Sequence, residues 1–398
     1  MAQNQDGSST SVSASLRLDY FSSSRQLDDV SNVLGASLDV DLTHRFGDNQ
    51  RLEVEGRLSR EDLLRDDRQY FRLINGFWLA RWERVDLRIG QQKIRWGKAD
   101  GINPTDFFTS IDYTVLLPLE EDRYLSVPAV RTDVQVGKTS TVSLVVSPNF
   151  TPTRLPWPRY APVMVVGDEP SGWRRPQVGL RLLQVLENLD WSLSAFRGFS
   201  TVPVLSFVDI GPQGEPRYQR YYPQSTGFGM DVAHNLGHWG FRAELAYSEL
   251  RGDGRQPVAS NYFLVTGVDR SIDNWNINVQ ALLRHTPHYE STNAFANPLQ
   301  ELAATENAIV YNQQQRVVPG LTMRVGTSWL HETLQAEFLT IAYFRPANFV
   351  ARPLLTYALS DVRKIRAGAE YYSGPDRSYF GLLKRNRTAF VEFQQFFQ

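Results

Sequence analysis

The sequence of 398 residues lacks cysteine entirely. This absence excludes a disulfide-stapled scaffold and any zinc or iron–sulfur site built from thiolates. The chain also lacks a net positive charge, with 42 Lys and Arg against 43 Asp and Glu, which argues against a general nucleic-acid binder. No apolar run approaches about 18 residues, so membrane-spanning helices are excluded as well.

Lysine is scarce, since five of the 42 basic residues are lysine and the remaining 37 are arginine. Arginine is preferred where a forked cation must recognise a carboxylate or a phosphate. A GC-rich genome would produce the same bias, so composition alone leaves both explanations open. The content of hydrophobic residues, 42%, and of aromatic residues, 12%, excludes a disordered chain.

The N-terminus shows no basic region followed by an apolar stretch, and therefore no signal peptide. Ala2-Gln3 is nevertheless a common mature start, so we expect that a signal peptide has been removed. A cytosolic protein with a polar N-terminus is the alternative. We expect a disordered segment over 1–10 and a single domain over 11–398.

Hydrophobic and polar residues alternate along most of the chain. In residues 12–20, for example, Leu16 and Leu18 fall on one face while Arg17 and Asp19 fall on the other. Because side chains alternate across a strand, this period predicts half-buried β-strands. The predicted 18 strands lie near 11–20, 33–46, 51–60, 70–82, 84–95, 127–137, 139–148, 175–186, 188–199, 224–236, 238–250, 259–269, 274–284, 314–327, 332–345, 349–360, 362–372 and 387–398.

The predicted strands and their links have the dimensions of a membrane barrel. Tilted membrane strands need about 9–11 residues, whereas soluble strands average about 5–6. Short links such as 47–50 alternate with long ones such as 149–174, and only the link at 345–348 is short where a long one is expected. The sequence therefore predicts an all-β fold, a transmembrane antiparallel β-barrel with short periplasmic turns and long extracellular loops. Soluble β-sandwiches or a propeller are the alternative.

Charged residues on the strands predict which face lines the lumen. An arginine that faces lipid at the bilayer midplane costs about 2–4 kcal/mol, so these positions are expected to face inward. The predicted lumen-lining residues are Arg57, Arg84, Arg88, Arg131, Arg242, Arg324, Arg366 and Glu244. Such a wall would modestly favour anions, unless most of the charges pair across strands and only hold the wall together.

The link 96–126 contains the densest run of unusual residues. A barrel of about 18 strands leaves an aqueous lumen unless something fills it, so we expect this loop to fold inward as a constriction or plug. The acidic cluster 120–122 is predicted either to pair with lumenal arginines or to bind Ca²⁺; a solvated loop held by salt bridges is the alternative. The predicted constriction residues are Trp96, Lys98, Asp100, Asn103, Asp106, Glu120, Glu121 and Arg123.

The same region carries a family resemblance. The strand end Gly90-Gln91-Gln92, then Trp96-Gly97, and then Gly101-Ile102-Asn103-Pro104-Thr105-Asp106 resembles a family of bacterial outer-membrane barrels of mostly unassigned function. That family is similar to the alginate-export type of eighteen-stranded barrels and porins. The resemblance spans roughly 85–135 and implies a channel for sugars, acidic polysaccharide or other polar molecules.

Two further loops show recognisable patterns. The proline-rich loop 149–174 contains Trp157, Tyr160 and Trp173, and it is predicted to form a stiff external lid whose rings stack on sugars, or an ordered cap without a ligand. Within the loop 285–313, the residues 298–306 predict a short helix.

Catalytic and metal signals are weak. His285, His288 and Glu290 have proline within their spacing, which makes a poor metal site. Asp231 and His234 could belong to a hydrolase, but no Gly-x-Ser-x-Gly motif and no phosphate-binding glycine loop occurs. We therefore expect no enzyme activity, no cofactor and no metal.

The sequence as a whole predicts an outer-membrane channel for polar molecules, anions among them. Export of an exopolysaccharide with a periplasmic export partner is the first hypothesis. A small-solute porin or uptake channel is the second, and a closed barrel with a structural or assembly role is the third. The expected surroundings are outer-membrane lipid and lipopolysaccharide, with no nucleic acid.

Overall fold

The computed structural model describes residues 7–24, 30–63, 65, 69–155, 175–252, 259–292 and 295–397, and the backbone of 164–168. Eighteen strands form one closed antiparallel barrel, which confirms the predicted fold class. The barrel strands are β1 (Ser9–Ser23), β2 (Asn32–Phe46), β3 (Gln50–Arg60), β4 (Gln69–Trp82), β5 (Val85–Gln92), β8 (Val127–Val136), β9 (Ser140–Ser147), β11 (Gln177–Val185), β12 (Leu189–Phe199), β15 (Gln224–Leu236), β16 (Trp239–Arg251), β17 (Asn261–Ile272), β18 (Trp275–His285), β19 (Val317–Trp329), β20 (Leu334–Phe344), β21 (Ala347–Ser360), β22 (Arg363–Ser373) and β23 (Thr388–Phe397).

Pairing follows chain order, and the last strand closes the barrel on the first. Leu18 of β1 lies opposite Phe393 of β23, and Tyr20 lies opposite Val391. Closure leaves no free sheet edge, which is what a sheet surrounded by lipid requires. Each predicted strand overlaps one barrel strand, and the short link 345–346 lies at the same end of the barrel as the long loops.

The first strand begins earlier than the sequence pattern suggests. β1 includes Ser9 and Thr10, which were predicted to belong to the disordered segment 1–10, whereas residues 1–6 lie outside the described part of the chain. The extension has a physical reason, since Ser9 and Thr10 pair with Arg45 and His44 at the end of β2. Backbone pairing with a longer neighbour therefore extends the strand beyond its hydrophobic pattern.

The two faces of the wall differ as the alternation predicts. On β1, Leu18 and Tyr20 are exposed on the outside, whereas Asp19 is buried inside. Tryptophans gather on the outer wall near the short turns, where Trp275 and Trp329 lie with ring centroids 6.2 Å apart. An apolar outer band with aromatic residues at its rim is typical of a membrane barrel.

A small layer of structure covers the end with the long loops. It contains a sheet of β10 (Met164–Asp168), β13 (Val204–Ile210) and β14 (Pro216–Tyr221), a two-residue pair β6 (Ser110–Ile111) with β7 (Tyr124–Leu125), and helix α1 (Pro298–Val310). The helix confirms the short helix predicted within 285–313. The side chain of Asn307 holds α1 to β13 by bonding both the N–H and the C=O of Leu205, at 2.7 and 2.8 Å.

Trp157, Tyr160 and Trp173 of the predicted aromatic lid lie outside the described residues. Within the described part of the chain, no helix is long and apolar enough to cross a membrane.

Candidate functional site

The segment 93–126, here called the lumenal loop, leaves β5 and crosses the inside of the barrel before it enters β8. Its Lys98 side chain pairs with Asp190 on β12 at 3.1 Å, while its Asp122 pairs with Arg17 on β1 at 2.6 Å. These strands stand well apart around the barrel, so the loop spans the lumen rather than lying against the wall beside its own strands.

One wall carboxylate holds two parts of the loop. Glu244 on β16 accepts hydrogen bonds from the backbone N–H groups of Lys98 and Ala99, and from the Thr105 hydroxyl at 3.1 Å. Gly97 makes this approach possible, because a Cβ there would lie 2.6 Å from the Glu244 carboxylate and its φ is +102°. Glu244, predicted to line the solute path, therefore serves as an acceptor for the loop backbone.

A second contact lies on the other side of the barrel. The Asp122 carboxylate pairs with Arg17 at 2.6 Å and with Arg57 of β3 at 2.9 Å, and the Asp122 backbone C=O accepts from Arg72 of β4 at 2.7 Å. Arg57 also pairs with Asp39 of β2 at 2.5 Å. Burial alone would raise the pKa of Asp122, but the two guanidinium groups outweigh burial and lower that pKa.

Three more ion pairs tie the loop to the late strands. Asp100 lies 2.9 Å from Arg324 of β19, and Glu120 lies 3.1 Å from Arg352 of β21. Arg123 pairs with Glu370 of β22 at 3.0 Å. The acidic cluster at 120–122 thus pairs with arginines of the wall, the first of its two predicted arrangements, while Glu121 is exposed.

The remaining predicted loop residues are buried or line a cavity. Trp96 is 2% exposed and packs edge-on against Phe108, with ring centroids 5.3 Å apart. Asp106 accepts hydrogen bonds from the Thr109 hydroxyl at 2.6 Å and from the backbone N–H of Trp96 at 3.3 Å. Burial raises the pKa of Asp106 to about 7 despite these two donors.

Most predicted lumen cations are paired with acids on neighbouring strands. Asp133 of β8 pairs with Arg88 of the neighbouring β5 at 3.2 Å and with Arg131 of its own strand at 2.9 Å, and Arg242 lies 2.8 Å from Asp269 of β17. Arg324 pairs with Glu337 as well as Asp100, and Arg366 pairs with Glu392. The wall therefore resembles a network of cross-strand pairs more than a row of free cations.

Arg84 was predicted to line the lumen, and this prediction is wrong. β4 ends at Trp82 and β5 begins at Val85, so Arg84 lies exposed in the turn between them. The alternating pattern continues through the turn residues, and the sequence therefore does not show where the wall ends.

A cavity of about 300 Å³ lies between the lumenal loop and the layer that contains α1; we call it the upper cavity. Its charged lining groups include Arg95, Arg284, Arg352 and Glu120. Much of the remaining lining is apolar or aromatic, including Ile102, Phe263, Ile341, Tyr343, Tyr379 and Phe380. Its size and mixed lining are those of a site for one small organic molecule.

Comparison with protein families identifies the family to which the chain belongs. The sequence model of a family described as "Protein of unknown function (DUF1302)" matches residues 47–329, well over half of the chain. The chain belongs to this family. The match includes the motif region 85–135, on which the predicted resemblance rests. Comparison with curated proteins gives no match.

Solved structures share the barrel of this DUF1302 member at low sequence identity. The outer membrane protein opdK from Pseudomonas aeruginosa is 8% identical, with a TM-score of 0.61 over 98% of this chain and 99% of that chain. OccAB2 from Acinetobacter baumannii is 11% identical, with a TM-score of 0.59 over 98% of each chain. Pseudomonas aeruginosa OpdK with vanillate is 8% identical, with a TM-score of 0.59 over 98% of each chain. At these identities the likeness concerns the fold.

The groups considered for catalysis or metal binding in this DUF1302 barrel have other partners. Asp231 accepts from the Ser192 hydroxyl and pairs with Arg181 at 3.2 Å, whereas His234 bonds the backbone C=O of Asn188 at 2.8 Å. Asp231 and His234 are an odd number of residues apart on β15 and so face opposite sides of the wall. Among the described residues, no group of three or more His, Asp or Glu could hold a metal ion.

The sequence reasoning missed the glycines beneath the loop. A Cβ on Gly179 of β11 would lie 2.6 Å from the Trp96 ring, and a Cβ on Gly227 of β15 would lie 2.5 Å from the Phe107 ring. Glycine inside a strand often marks a close approach of another part of the chain. That signal was present in the sequence, although it does not name the partner.

Proposed function

We propose that this DUF1302 member is an outer-membrane channel for small polar solutes, in which the lumenal loop narrows the path. The observation that carries the proposal is that the loop is held from opposite sides of the barrel, by Glu244 on one side and by Arg17 and Arg57 on the other. A loop fixed to the wall at several points keeps its position while small molecules pass beside it.

The same geometry favours a small-solute channel over export of a polysaccharide. A polymer needs a continuous wide path, whereas the upper cavity, at about 300 Å³, has room for one small molecule. A barrel of the same fold, OpdK, has been crystallised with vanillate, a small aromatic carboxylate. The first hypothesis from the sequence, polysaccharide export, is therefore less well supported than its small-solute alternative.

Passage through such a channel needs no chemical step. A permeant must bind strongly enough to enter and weakly enough to leave. The paired charges of the wall, such as Arg88 with Asp133 and Arg242 with Asp269, supply polar contacts without a strong trap for either sign of charge. Diffusion down a concentration gradient suffices to drive transport.

Single-channel conductance in planar bilayers tests the proposal. We expect the wild-type protein to conduct steadily in small steps, and a variant lacking residues 98–122 to conduct in clearly larger steps. Gly326→Ala serves as the matched control, because a Cβ there meets only one atom, at 3.9 Å, and its conductance should equal that of the wild type. A silent wild type with a conducting deletion would instead support a gated barrel that waits for a partner. Silence of both proteins would support the closed, structural alternative.

A further inference from the structure

Arg284 has no acidic partner among the described residues, whereas Arg57 and Arg324 beside the lumenal loop each pair with a carboxylate. It lies at the end of β18 nearest the long loops and lines the upper cavity. Its Nη1 donates to the Asn261 side chain at 2.7 Å, and its Nε is buried without a hydrogen-bond partner. A guanidinium that is buried without a counter-charge is costly unless an anion reaches it.

The other two described cations of the upper cavity are Arg352, which lies between two acids, and Arg95, which is partly open to water. Arg352 lies 3.1 Å from Glu120 and 3.1 Å from Glu370. Arg95 stacks over the Tyr124 ring at 4.4 Å, and water solvates its guanidinium because the side chain is 39% exposed. Among the described residues, Arg284, whose Nε is buried and unpaired, is therefore the lining cation best placed to receive a negative charge from outside the protein.

Flat apolar surfaces surround the Arg284 guanidinium. Its Cζ lies 4.1 Å from the centroid of the Phe263 ring, which holds the guanidinium plane in place. Across the cavity, Tyr343 stacks on Phe380 with ring centroids 5.8 Å apart, and Tyr379 packs edge-on against both rings. Burial raises the pKa of Tyr379, so its phenol stays neutral and available as a hydrogen-bond donor.

We propose that the upper cavity is a binding site for a small aromatic monocarboxylate, with Arg284 as the anchor of its carboxylate. The carboxylate accepts from Nε and a terminal nitrogen of Arg284, the two-point geometry that a guanidinium offers and a lysine does not. The aromatic ring lies among Phe263, Tyr343 and Phe380. This inference rests on the proposed function and deepens it, since it names the class of solute that pauses above the lumenal loop.

The acids in and around the cavity limit the charge of the ligand. Glu120 and Glu370 lie beside Arg352, so a second carboxylate on the ligand would meet negative charge there. The apolar lining of Ile102, Ile341 and Phe380 likewise favours a ring over a sugar or a polyanion. A ligand with one carboxylate on one aromatic ring therefore matches both the charged side and the apolar side of the cavity.

Isothermal titration of the purified, detergent-folded protein with benzoate tests the site. We expect saturable binding to wild type and at least about tenfold weaker binding to Arg284→Gln, because charge-assisted two-point contacts to a carboxylate are lost. Arg270→Gln is the matched control, since Arg270 also stacks on an aromatic ring, that of Trp239 at 4.8 Å, but lies outside the upper cavity. Its affinity should stay within about twofold of the wild type.

Ligand variants test the two parts of the proposal separately. Benzyl alcohol, which has the ring without the charge, and acetate, which has the charge without the ring, should each bind at least about tenfold more weakly than benzoate. If acetate binds as well as benzoate, the site takes any small anion and the aromatic part is wrong. If benzyl alcohol binds as well, or if Arg284→Gln binds like the wild type, Arg284 is not the anchor.

A second variant and a conductance measurement separate the possible outcomes. If Arg284→Gln fails to fold, as judged by the heat-dependent shift of barrels in gel electrophoresis, Arg284→Lys takes its place and should still bind benzoate less tightly, because it lacks the fork. Conductance is measured on the same preparation. A wild type that conducts without binding benzoate refutes the site and leaves the channel, whereas one that binds without conducting refutes the channel and leaves the site.

Discussion

The Thr105 hydroxyl of the lumenal loop donates a 3.1 Å hydrogen bond to Glu244 on the barrel wall. The same carboxylate accepts the N–H groups of Lys98 and Ala99, so one side chain fixes two separate turns of the loop. Since a carboxylate accepts from several donors at once, this arrangement satisfies loop backbone groups that would otherwise be unpaired inside the barrel.

Replacing Glu244 by alanine should loosen the loop. At least three loop donors lose their acceptor, so we expect larger and noisier single-channel steps in planar bilayers, while the deletion of 98–122 gives the upper limit. Glu249→Ala is the control, because Glu249 lies on the same strand but pairs with Arg251 at 2.9 Å. Unchanged conductance in Glu244→Ala would mean that the other contacts of the loop suffice to hold it.

Removing the Asp122 carboxylate should cost stability. Asp122→Ala leaves Arg17 and Arg57 short of a counter-charge in a buried position, where breaking an ion pair costs about 3 kcal/mol. Urea unfolding of the protein in lipid vesicles measures this loss. Glu121→Ala, the exposed neighbour, should stay within about 0.5 kcal/mol of the wild type. Equal stability of the two variants would show that Asp39, which pairs with both arginines, and Glu392, 3.8 Å from Arg17, neutralise them without Asp122.

The barrel could be predicted from local sequence, whereas the site depends on distant contacts. The alternation of Leu18 with Asp19 needs only a strand with one face in lipid and one inside. Within the described part of the chain no acid pairs with Arg284, and this depends instead on which residues the loops bring to the end of β18, which no spacing in the sequence records. Arg84 lies between these two cases. The sequence around it alternates as in a strand, but the residue itself lies in a turn.

The wall glycines offer a way to move the loop without touching a charge. Gly179→Ala places a Cβ 2.6 Å from the Trp96 ring and 2.5 Å from the Phe108 ring, so the aromatic base of the loop must shift away from β11. We expect trypsin to cleave after Lys98 faster than in the wild type, with the fragment identified by mass spectrometry. Gly326→Ala, where a Cβ meets only one atom at 3.9 Å, should be cleaved like the wild type. Equal cleavage of the two variants would contradict the close contact.

The position of the loop should also depend on pH, because the pKa values of two of its acids are shifted in opposite directions. Burial raises the pKa of Asp106 from 3.8 to about 7. The protonated form is therefore favoured when the loop is seated, and this stabilisation is complete below 3.8 and lost as pH rises through about 7. The pKa of Asp122 is lowered by Arg17 and Arg57, so its contribution is present above 3.8 and lost as pH falls further.

The loop should accordingly be held best in mildly acidic solution. We expect single-channel noise to be low at about pH 6 and to rise at about pH 8, where Asp106 must carry a buried charge. Asp106→Asn keeps the group neutral at every pH and still accepts from Thr109, so its noise should be the same at both values. Glu121→Gln removes an exposed carboxyl of the same loop and should leave the rise in place. If Asp106→Asn also becomes noisier at the higher pH, the rise comes from another group, and Asp106 does not control the seating of the loop.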